Sequence, residues 1–280
     1  MTNTTTTRTF PEVLRLTDAG VREELEALPD SLFLLGHEAD SQAVTVGLDA
    51  DSPYVLVVNS TGDGTTTALR TLAAQLLHHG AHTCLLDSKR ISHTWARTLP
   101  AVTHRADPAD IHDVLLEVRA EMGRRIGHLH RHGCHGEDLP RLAVLIDAGH
   151  HLLHQLACHW DTTRRHDDLK TSPAVDALHE LLFAGPEVRI HVLFGAQPNP
   201  HGLGPQWREN FSTIVLGRVT ARTWTRLAPH INDVPKTSSH PGCDHAVQGI
   251  SARPVQVLYL THTEAAAQAL TGTVMENDAS

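Results

Sequence analysis

Four short segments of this chain consist almost entirely of apolar residues, and a polar residue or loop follows each of them. The segments are 54–58, 83–86, 142–146 and 190–194. Such continuous apolarity is typical of strands that are covered on both faces, as in a parallel sheet. Stretches with helical spacing of apolar residues, such as 65–79, lie between them. The pattern therefore predicts an α/β fold in which helices cover both faces of a mostly parallel central sheet.

Polar residues follow the predicted strands at Asn59, Asp87, Asp147 and Gln197. In open α/β sheets, ligands bind beyond the carboxyl ends of the strands, where the connecting loops meet. Because the four residues stand at or just beyond such ends, we expect them to converge on one site. This convergence is the main evidence for a functional site that the residues give without reference to any family.

The segment after the first of these strands reads Asn-Ser-Thr-Gly-Asp-Gly-Thr-Thr, starting at Asn59. A phosphate-binding loop reads G-x-x-x-x-G-K-[ST] between a strand and a helix. Its backbone N–H groups hold the phosphates, its lysine contacts them, and its hydroxyl binds Mg²⁺. Gly62, Gly64 and Thr66 fit this pattern, but Asn59 stands at the first glycine and Thr65 at the lysine. Taken alone, the segment favours a glycine-rich turn without a ligand, whereas the flanking strand and helix favour a nucleotide site.

The net charge, the cysteine content and the lack of long apolar runs limit the ligands and the cellular compartment that we expect for this chain. The formal net charge of −9 argues against a general affinity for the nucleic-acid backbone. The four cysteines are widely spaced and form no C-x-x-C pair, which is typical of reduced thiols in a cytoplasm rather than of a disulfide framework. No apolar run approaches the length of a membrane span, and residues 1–9 lack signal-peptide character. We therefore expect a cytoplasmic protein with no membrane insertion.

Histidine is unusually frequent, with 23 residues, and many of them fall in two clusters. The first cluster spans 128–135 and contains Cys134, and the second spans 150–159 and contains Cys158. A zinc site that joins the clusters is one interpretation, since histidine and cysteine are zinc ligands. The other is histidine enrichment on a solvated helix end and loop. No standard zinc spacing is present, so the second interpretation is favoured and we expect no zinc.

Further segments, spread over most of the chain, follow the strands in a regular order. They are the strand, loop and helix at 57–72, Leu-Leu-Asp-Ser-Lys-Arg at 85–90, Val-Leu-Ile-Asp at 144–147, Val-Leu-Phe-Gly-Ala-Gln at 192–197, Arg-Glu-Asn-Phe at 208–211 and Leu-Gly-Arg-Val at 216–219. In type, order and spacing they resemble the FtsK/SpoIIIE family of DNA-pumping P-loop ATPases, in particular small actinobacterial FtsK-like proteins. The resemblance covers nearly the whole chain between its two ends.

This resemblance implies a RecA-like P-loop NTPase fold that binds ATP and Mg²⁺. The residues that match the family's nucleotide-binding loop are Thr61, Gly62, Asp63, Gly64, Thr65, Thr66 and Thr67. The resemblance also implies that Asp147, at the Walker B position, holds Mg²⁺ from its second shell. Gln197 is implied to be a sensor-like catalytic residue.

The chain departs from the family pattern at four positions. Thr65 stands at the family's loop lysine, Asp63 at a serine and Asn59 at the first glycine. Ala148 stands where an activating carboxylate follows the Walker B aspartate. The first two changes each make the loop one charge more negative, which costs roughly 4 kcal/mol for a phosphate about 4 Å away at an effective dielectric of 20. Lys89 lies past a neighbouring strand, but the family has a basic residue there in any case, so we do not expect it to replace the lost lysine.

Two functions are therefore consistent with the sequence. The first is an ATP-binding protein, related to DNA translocases, with weak or no ATP hydrolysis. The second is a pseudo-ATPase that binds no nucleotide and serves as a scaffold or regulator of a DNA-segregation or conjugative-transfer system. In either case we expect homo- or hetero-oligomers with FtsK-like paralogues, and contact with DNA only as part of an assembly.

The predicted domain organisation follows from the same patterns. The P-loop NTPase domain is expected at 51–262, preceded by an N-terminal helix and short strands at 10–50. Residues 1–9 and 271–280 are polar and are predicted to be disordered tails.

Overall fold

A computed structural model of the chain describes residues 10–49, 52–198, 205–236, 238 and 240–272. The predicted tail at 1–9 lies outside the described residues, and so do residues 273–280 of the other predicted tail. The disorder predicted for them stays a prediction. Thr271, which we expected to begin the second tail, is instead the last residue of a helix.

The sheet is mixed, with a parallel part and an antiparallel part. Its strands within the described residues are β1 (Leu14–Arg15), β2 (Leu32–His37), β3 (Ala43–Gly47), β4 (Tyr54–Val58), β5 (His82–Asp87), β6 (Val102–Arg105), β7 (Leu142–Asp147), β8 (Ile190–Ala196), β9 (Thr213–Leu216), β10 (Cys243–Gln248) and β11 (Ser251–Tyr259). The order is β3-β2-β11-β10-β9-β4-β8-β7-β5-β6, and β1 pairs in parallel with β11. Pairing is parallel from β9 to β6 and antiparallel from β3 to β9. All four segments of continuous apolarity lie in the parallel part, as predicted.

Helices cover both faces of the sheet. They are α1 (Val21–Ala27), α2 (Thr65–His78), α3 (Pro108–His132), α4 (Gly149–Thr163), α5 (Pro173–Ala184), α6 (Pro205–Glu209), α7 (Ala221–Leu227) and α8 (His262–Thr271). Buried residues of α1, α2 and α8 form one apolar core with the sheet, and those of α3, α4, α5 and α7 form a second core on the other face. Strand β4 contributes Val55 and Val57 to the first core and Leu56 and Val58 to the second, because successive side chains of a strand point to opposite faces. The predicted α/β fold is thereby confirmed.

The elements that the sequence pattern missed are those with polar residues. β6 reads Val-Thr-His-Arg and lies at the edge of the sheet, where half-exposed residues are tolerated. β10 contains the buried residues Asp244 and His245, so it lacks the continuous apolarity of its neighbours. Strands β2 and β3 come from the segment 10–50, predicted as a separate N-terminal part, and they extend the same sheet through β11.

Candidate functional site

Most of the strand-end residues predicted to converge do so at one edge of the sheet. β4 ends at Val58, which lies next to Ala196 at the end of β8. β5 and β7 end side by side at Asp87 and Asp147. Since β8 lies between β4 and β7, the loops that follow these strands border one cleft of about 290 Å³. Asp87 is fully buried beneath this edge and does not line the cleft.

The cleft brings together nearly all of the residues predicted for the site. It is lined by Asn59, Ser60, Thr61, Gly62, Gly64, Thr65, Thr66, Thr67, Lys89, Asp147, Ala148, Gly195, Ala196 and Gln197. Of the loop residues implied to contact a nucleotide, Asp63 alone is outside this lining. The residues fall on two walls, which we call the loop wall (59–67) and the strand-end wall (Lys89, Asp147, Ala148 and Gln197).

Two glycines give the loop wall its shape. Gly62 and Gly64 have φ angles of 89° and 107°, in the left-handed region that residues with a side chain rarely adopt. Gly64 caps α2, which begins at Thr65, and its carbonyl accepts from the N–H of Ala68 at 2.9 Å. The N–H groups of a first helical turn have no intrahelical acceptor, and the helix dipole is positive there. Because that turn lines the cleft, the backbone keeps the arrangement that binds a phosphate group.

Asp147 is the centre of the strand-end wall. Its Oδ2 accepts a hydrogen bond from Thr66 Oγ1 at 2.7 Å, and Lys89 Nζ lies 3.3 Å from its Oδ1. The Nε2 atom of His93, a fully buried residue, lies 3.4 Å from Oδ2. Burial alone would raise the pKa of Asp147, but the contacts with His93, Lys89 and Thr66 outweigh it and hold that pKa well below its usual range. The site therefore offers a carboxylate and a hydroxyl side by side, which are oxygen ligands of the kind that Mg²⁺ prefers.

The side chain of Asp63 pairs within the protein, and the residue does not line the cleft. Its carboxylate accepts two hydrogen bonds from Arg218, from Nη2 to Oδ1 at 2.8 Å and from Nε to Oδ2 at 3.1 Å. Such a bidentate pair neutralises the carboxylate within the protein. The negative charge of Asp63 therefore weakens phosphate binding less than the sequence suggested.

Asn59 has a structural role that explains its presence at the first position of the loop. Its side chain is buried, with Nδ2 donating to Asp244 Oδ2 at 2.9 Å and Oδ1 accepting from the N–H of Gly217 at 2.8 Å. A glycine could make neither bond. Asn59 thus ties the start of the loop to β10 and to the residue that follows β9.

Asp244 is almost completely buried in this arrangement. Burial raises its pKa to about 7, and the nearby charge of Asp63 acts in the same direction, against the hydrogen bond from Asn59. The other oxygen of the Asp244 carboxylate lies against Gly217, where an added Cβ would come within 2.5 Å of it. Asp244 and Gly217 therefore support the loop from behind without contacting the cleft.

Two of the departures from the family pattern, Thr65 and Ala148, line the cleft, one on each wall. Thr65 lines the cleft with an uncharged side chain, and its methyl group would lie 2.9 Å from a Cβ added at Gly195. Ala148, with a φ of 55°, caps the start of α4 and lines the cleft next to Asp147 with a methyl group. Gln197 is exposed and lines the cleft, next to the end of β8. Within the described lining of the cleft, Asp147 is the one carboxylate and Lys89 the one lysine or arginine.

Three contributors to the site were not predicted from the sequence. His93 lies in the connection after β5, and nothing in its surroundings marks it as a partner of Asp147. Arg218 lies in the segment Leu-Gly-Arg-Val, which assigns it no role in the loop, and its pairing with Asp63 spans 155 positions of the chain. Asp244 sits in a strand that the pattern missed. Each of these contacts depends on chain segments brought together by the sheet.

The two histidine clusters show no metal geometry within the described part of the chain. No group of three or more His, Cys, Asp or Glu side chains is arranged there to hold a metal ion. In the second cluster, His154 Nε2 lies 3.6 Å from the exposed Cys158 Sγ, one helical turn away. In the first, the rings of His128 and His132 lie 4.3 Å apart on α3.

No helix within the described residues has both the length and the apolar character needed to cross a membrane.

Comparison with known proteins by sequence gives no relationship, since neither a family model nor a curated protein matches the chain.

Solved structures, in contrast, match the fold over most of the chain. The conjugation coupling protein TcpA of pCW3, in its monomer form with ATPγS, matches with a TM-score of 0.76 and 18% identity, covering 96% of this chain and 76% of TcpA. ATPases 2 and 3 of EssC from Geobacillus thermodenitrificans give a TM-score of 0.71 at 14% identity, covering 89% of this chain and 50% of theirs. The cytoplasmic domain of the Thermomonospora curvata type VII secretion ATPase EccC gives 0.64 at 16% identity, with 91% of this chain and 29% of EccC covered.

The chain therefore spans half of the EssC structure and less than a third of the EccC structure. At these identities the likeness concerns the fold. It agrees with the mixed, largely parallel sheet and the helices on its two faces. This chain has the RecA-like α/β fold of the FtsK/SpoIIIE-type P-loop ATPases.

Proposed function

We propose that this chain binds ATP with Mg²⁺ in the cleft and hydrolyses it slowly or not at all. The observation that carries the proposal is the open loop wall, in which two left-handed glycines and the first turn of α2 face a cleft of about 290 Å³. Thr66 and Asp147 stand together at the place where a Mg²⁺ ion would be held. A turn that had lost its ligand would have no need to keep these features open to solvent.

The weak hydrolysis follows from what the two walls lack. Thr65 offers no charge to stabilise the phosphoryl group in the transition state, and Ala148 cannot orient a water molecule for attack. Removing one such group typically costs about 10²–10³ in rate, and here two are absent. We infer that nucleotide binding, rather than turnover, is the property that this site contributes.

Titration of a fluorescent ATP analogue with Mg²⁺ tests the proposal. We expect wild-type protein to bind at roughly micromolar concentration, and Thr65→Lys to bind about tenfold more tightly because it restores a cation at the phosphates. Thr162→Lys is the matched control, since it adds the same charge to an exposed position far along α4. ATP turnover is expected to stay low in all three proteins because Ala148 is unchanged.

A pseudo-ATPase scaffold that binds no nucleotide is the second candidate. The observation that favours it is the absence of a lysine at Thr65, on one wall, and of a carboxylate at Ala148, on the other. Under this alternative the wild-type protein binds no ATP analogue, whereas Thr65→Lys does. Wild-type binding together with rapid turnover would contradict both candidates.

We also propose that the chain acts within an oligomer, with copies of itself or with FtsK-like paralogues, in DNA segregation or conjugative transfer. The support is the likeness to TcpA, a conjugation coupling protein, and the family resemblance of the sequence. The net charge of −9 favours DNA contact only within an assembly. We expect light scattering to detect larger species when ATP and Mg²⁺ are added, and the isolated chain to leave a DNA duplex unbound at physiological salt.

A further inference from the structure

The cleft contains a positive charge that does not come from the loop wall. Thr65 occupies the loop position at which the family has a lysine. Among the described residues that line the cleft, Lys89 is the one lysine or arginine. Arg90, its neighbour in the chain, pairs with Asp107 at 2.5 Å. Arg218, the basic residue beside the loop, is held in the bidentate pair described above. Lys89 is thus the cation best placed to meet an anionic ligand.

A tight turn at the end of β5 directs Lys89 towards β7. The N–H of Arg90 donates to the carbonyl of Asp87 at 2.8 Å, and Arg90 has a φ of 68°. The buried Asp87 carboxylate accepts from the N–H of His93 at 3.0 Å, which fixes the base of the turn. Because Asp87 and Asp147 are paired in the sheet, the side chain of Lys89 extends across to the Asp147 carboxylate.

Lys89 and Thr66 contact different oxygens of the same carboxylate, that of Asp147. Thr66 Oγ1 is bound to Oδ2 of Asp147, while Lys89 Nζ lies 3.3 Å from Oδ1. The lysine side chain is 41% exposed, so it is anchored at the wall but free to adjust. An ammonium group carries three donors, and the long contact with Asp147 leaves capacity for a ligand. The charge therefore stands beside the Mg²⁺ position and across the cleft from the first turn of α2.

We propose that Lys89 is the phosphate-binding cation of this cleft and takes the place of the lysine that Thr65 replaces. The inference rests on the proposed binding of ATP and specifies how the site recognises it. It reverses the expectation drawn from the sequence, where a basic residue after β5 was attributed to the family pattern alone. The ligand class is a nucleoside triphosphate, contacted at its terminal phosphates.

Binding of fluorescent ATP and AMP analogues to variants of the whole chain tests this assignment. Lys89→Gln is expected to weaken ATP binding by about tenfold or more and to change AMP binding little, because AMP lacks the terminal phosphates. Lys89→Arg, which keeps the charge, should retain most of the affinity. Arg90→Gln removes the adjacent charge outside the cleft and should stay within about twofold of wild type. Thr65→Lys combined with Lys89→Gln should recover the lost ATP affinity.

The outcomes separate this inference from the proposed function. If wild type binds ATP and Lys89→Gln binds it equally well, the role of Lys89 is refuted while the proposed function stands. Equal losses for ATP and AMP also contradict it, since they would indicate damage to the fold rather than loss of a phosphate contact. If wild type binds no ATP, both proposals fail together. Thermal unfolding of each variant shows whether its fold is intact.

Discussion

The two walls of the cleft have diverged from the family pattern in different ways. On the loop wall, Asn59 and Asp63 turn their side chains into the protein, towards Asp244 and Arg218. The strand-end wall still presents Asp147 to the cleft, together with Lys89. The first wall has therefore exchanged ligand contacts for internal bonds, whereas the second has kept groups that can face a metal ion and a phosphate.

This difference shows how a glycine-rich loop before a helix can depart from the phosphate-loop sequence pattern and stay open to the cleft. The side chains of Asn59 and Asp63 do not leave unsatisfied groups in the cleft, because each has a partner within the protein. The loop backbone is held open by those same partners and by two glycines. Substitutions at the buried contacts of Asn59 behind the loop should therefore affect stability, and those on the strand-end wall should affect ligand binding.

The largest effect is expected at Gly217, which lies against the buried side chains of Asp244 and Asn59 behind the loop wall. Gly217→Ala would place a Cβ within 2.5 Å of Asp244 Oδ1 and 2.6 Å of Asn59 Oδ1, both buried. We expect the free energy of unfolding in urea to fall by about 2–3 kcal/mol. Gly123→Ala in α3 is the matched control, because nothing lies within 4 Å of the added Cβ. It should be neutral or stabilising by up to about 1 kcal/mol. Equal effects at the two glycines would break the assignment of a supporting role to Gly217.

On the strand-end wall, Asp147→Asn should uncouple nucleotide binding from Mg²⁺. The substitution keeps the shape of the side chain and removes the charge that would hold the ion. Mg²⁺ should raise the affinity for an ATP analogue by a factor about tenfold smaller in the variant than in the wild type. This difference corresponds to about 1.4 kcal/mol. Asp161→Asn, at an exposed position of α4, should leave the effect unchanged. A Mg²⁺ dependence that survives Asp147→Asn would place the ion elsewhere.

The pH dependence of stability provides a third test, through Asp244. Its pKa of about 7 exceeds the value of about 3.9 for an aspartate in an unfolded chain. Between these values the folded protein keeps a proton that the unfolded chain has released, so stability falls as the pH rises from about 4 to 7. Asp244→Asn removes this titration and still accepts from Asn59. We expect it to raise the free energy of unfolding by about 1 kcal/mol at pH 8, with the gain shrinking towards pH 4. A gain that does not depend on pH would rule out titration of Asp244 as its cause.

The smallest effect is expected at the ion pair on the rim of the loop wall. Arg218→Gln removes the partner of Asp63, but the arginine side chain is half-exposed and solvent screens the pair. We expect a loss of about 0.5 kcal/mol in stability, and weaker binding of an ATP analogue because the charge of Asp63 is then unpaired. Arg222→Gln, an exposed neighbour on α7, should change neither quantity. Binding that improves in Arg218→Gln would contradict the view that the pair shields the ligand from Asp63.

The sequence pattern predicts most of the strands, but it misses β6 in the parallel part and β10 in the antiparallel part. Segments such as 54–58 and 142–146 are apolar because both of their faces are covered, and this burial is visible in the sequence itself. β10 is buried as well, but Asp244 and His245 find their partners in distant segments, so its composition does not indicate burial. The pattern thus misses β10 because its polar residues have partners in other segments, and it misses β6 because that strand lies half-exposed at the edge of the sheet.

The sequence by itself determined the α/β fold class, the place of the glycine-rich loop before α2 and the departures from the family pattern at Thr65 and Ala148. These depend on local composition and on the residues present, which a chain carries without folding. Only the tertiary structure decided which way the remaining charges face. It turned Asp63 towards Arg218 and brought Lys89 to Asp147, because the order of strands in the sheet, rather than their order in the chain, sets which loops meet.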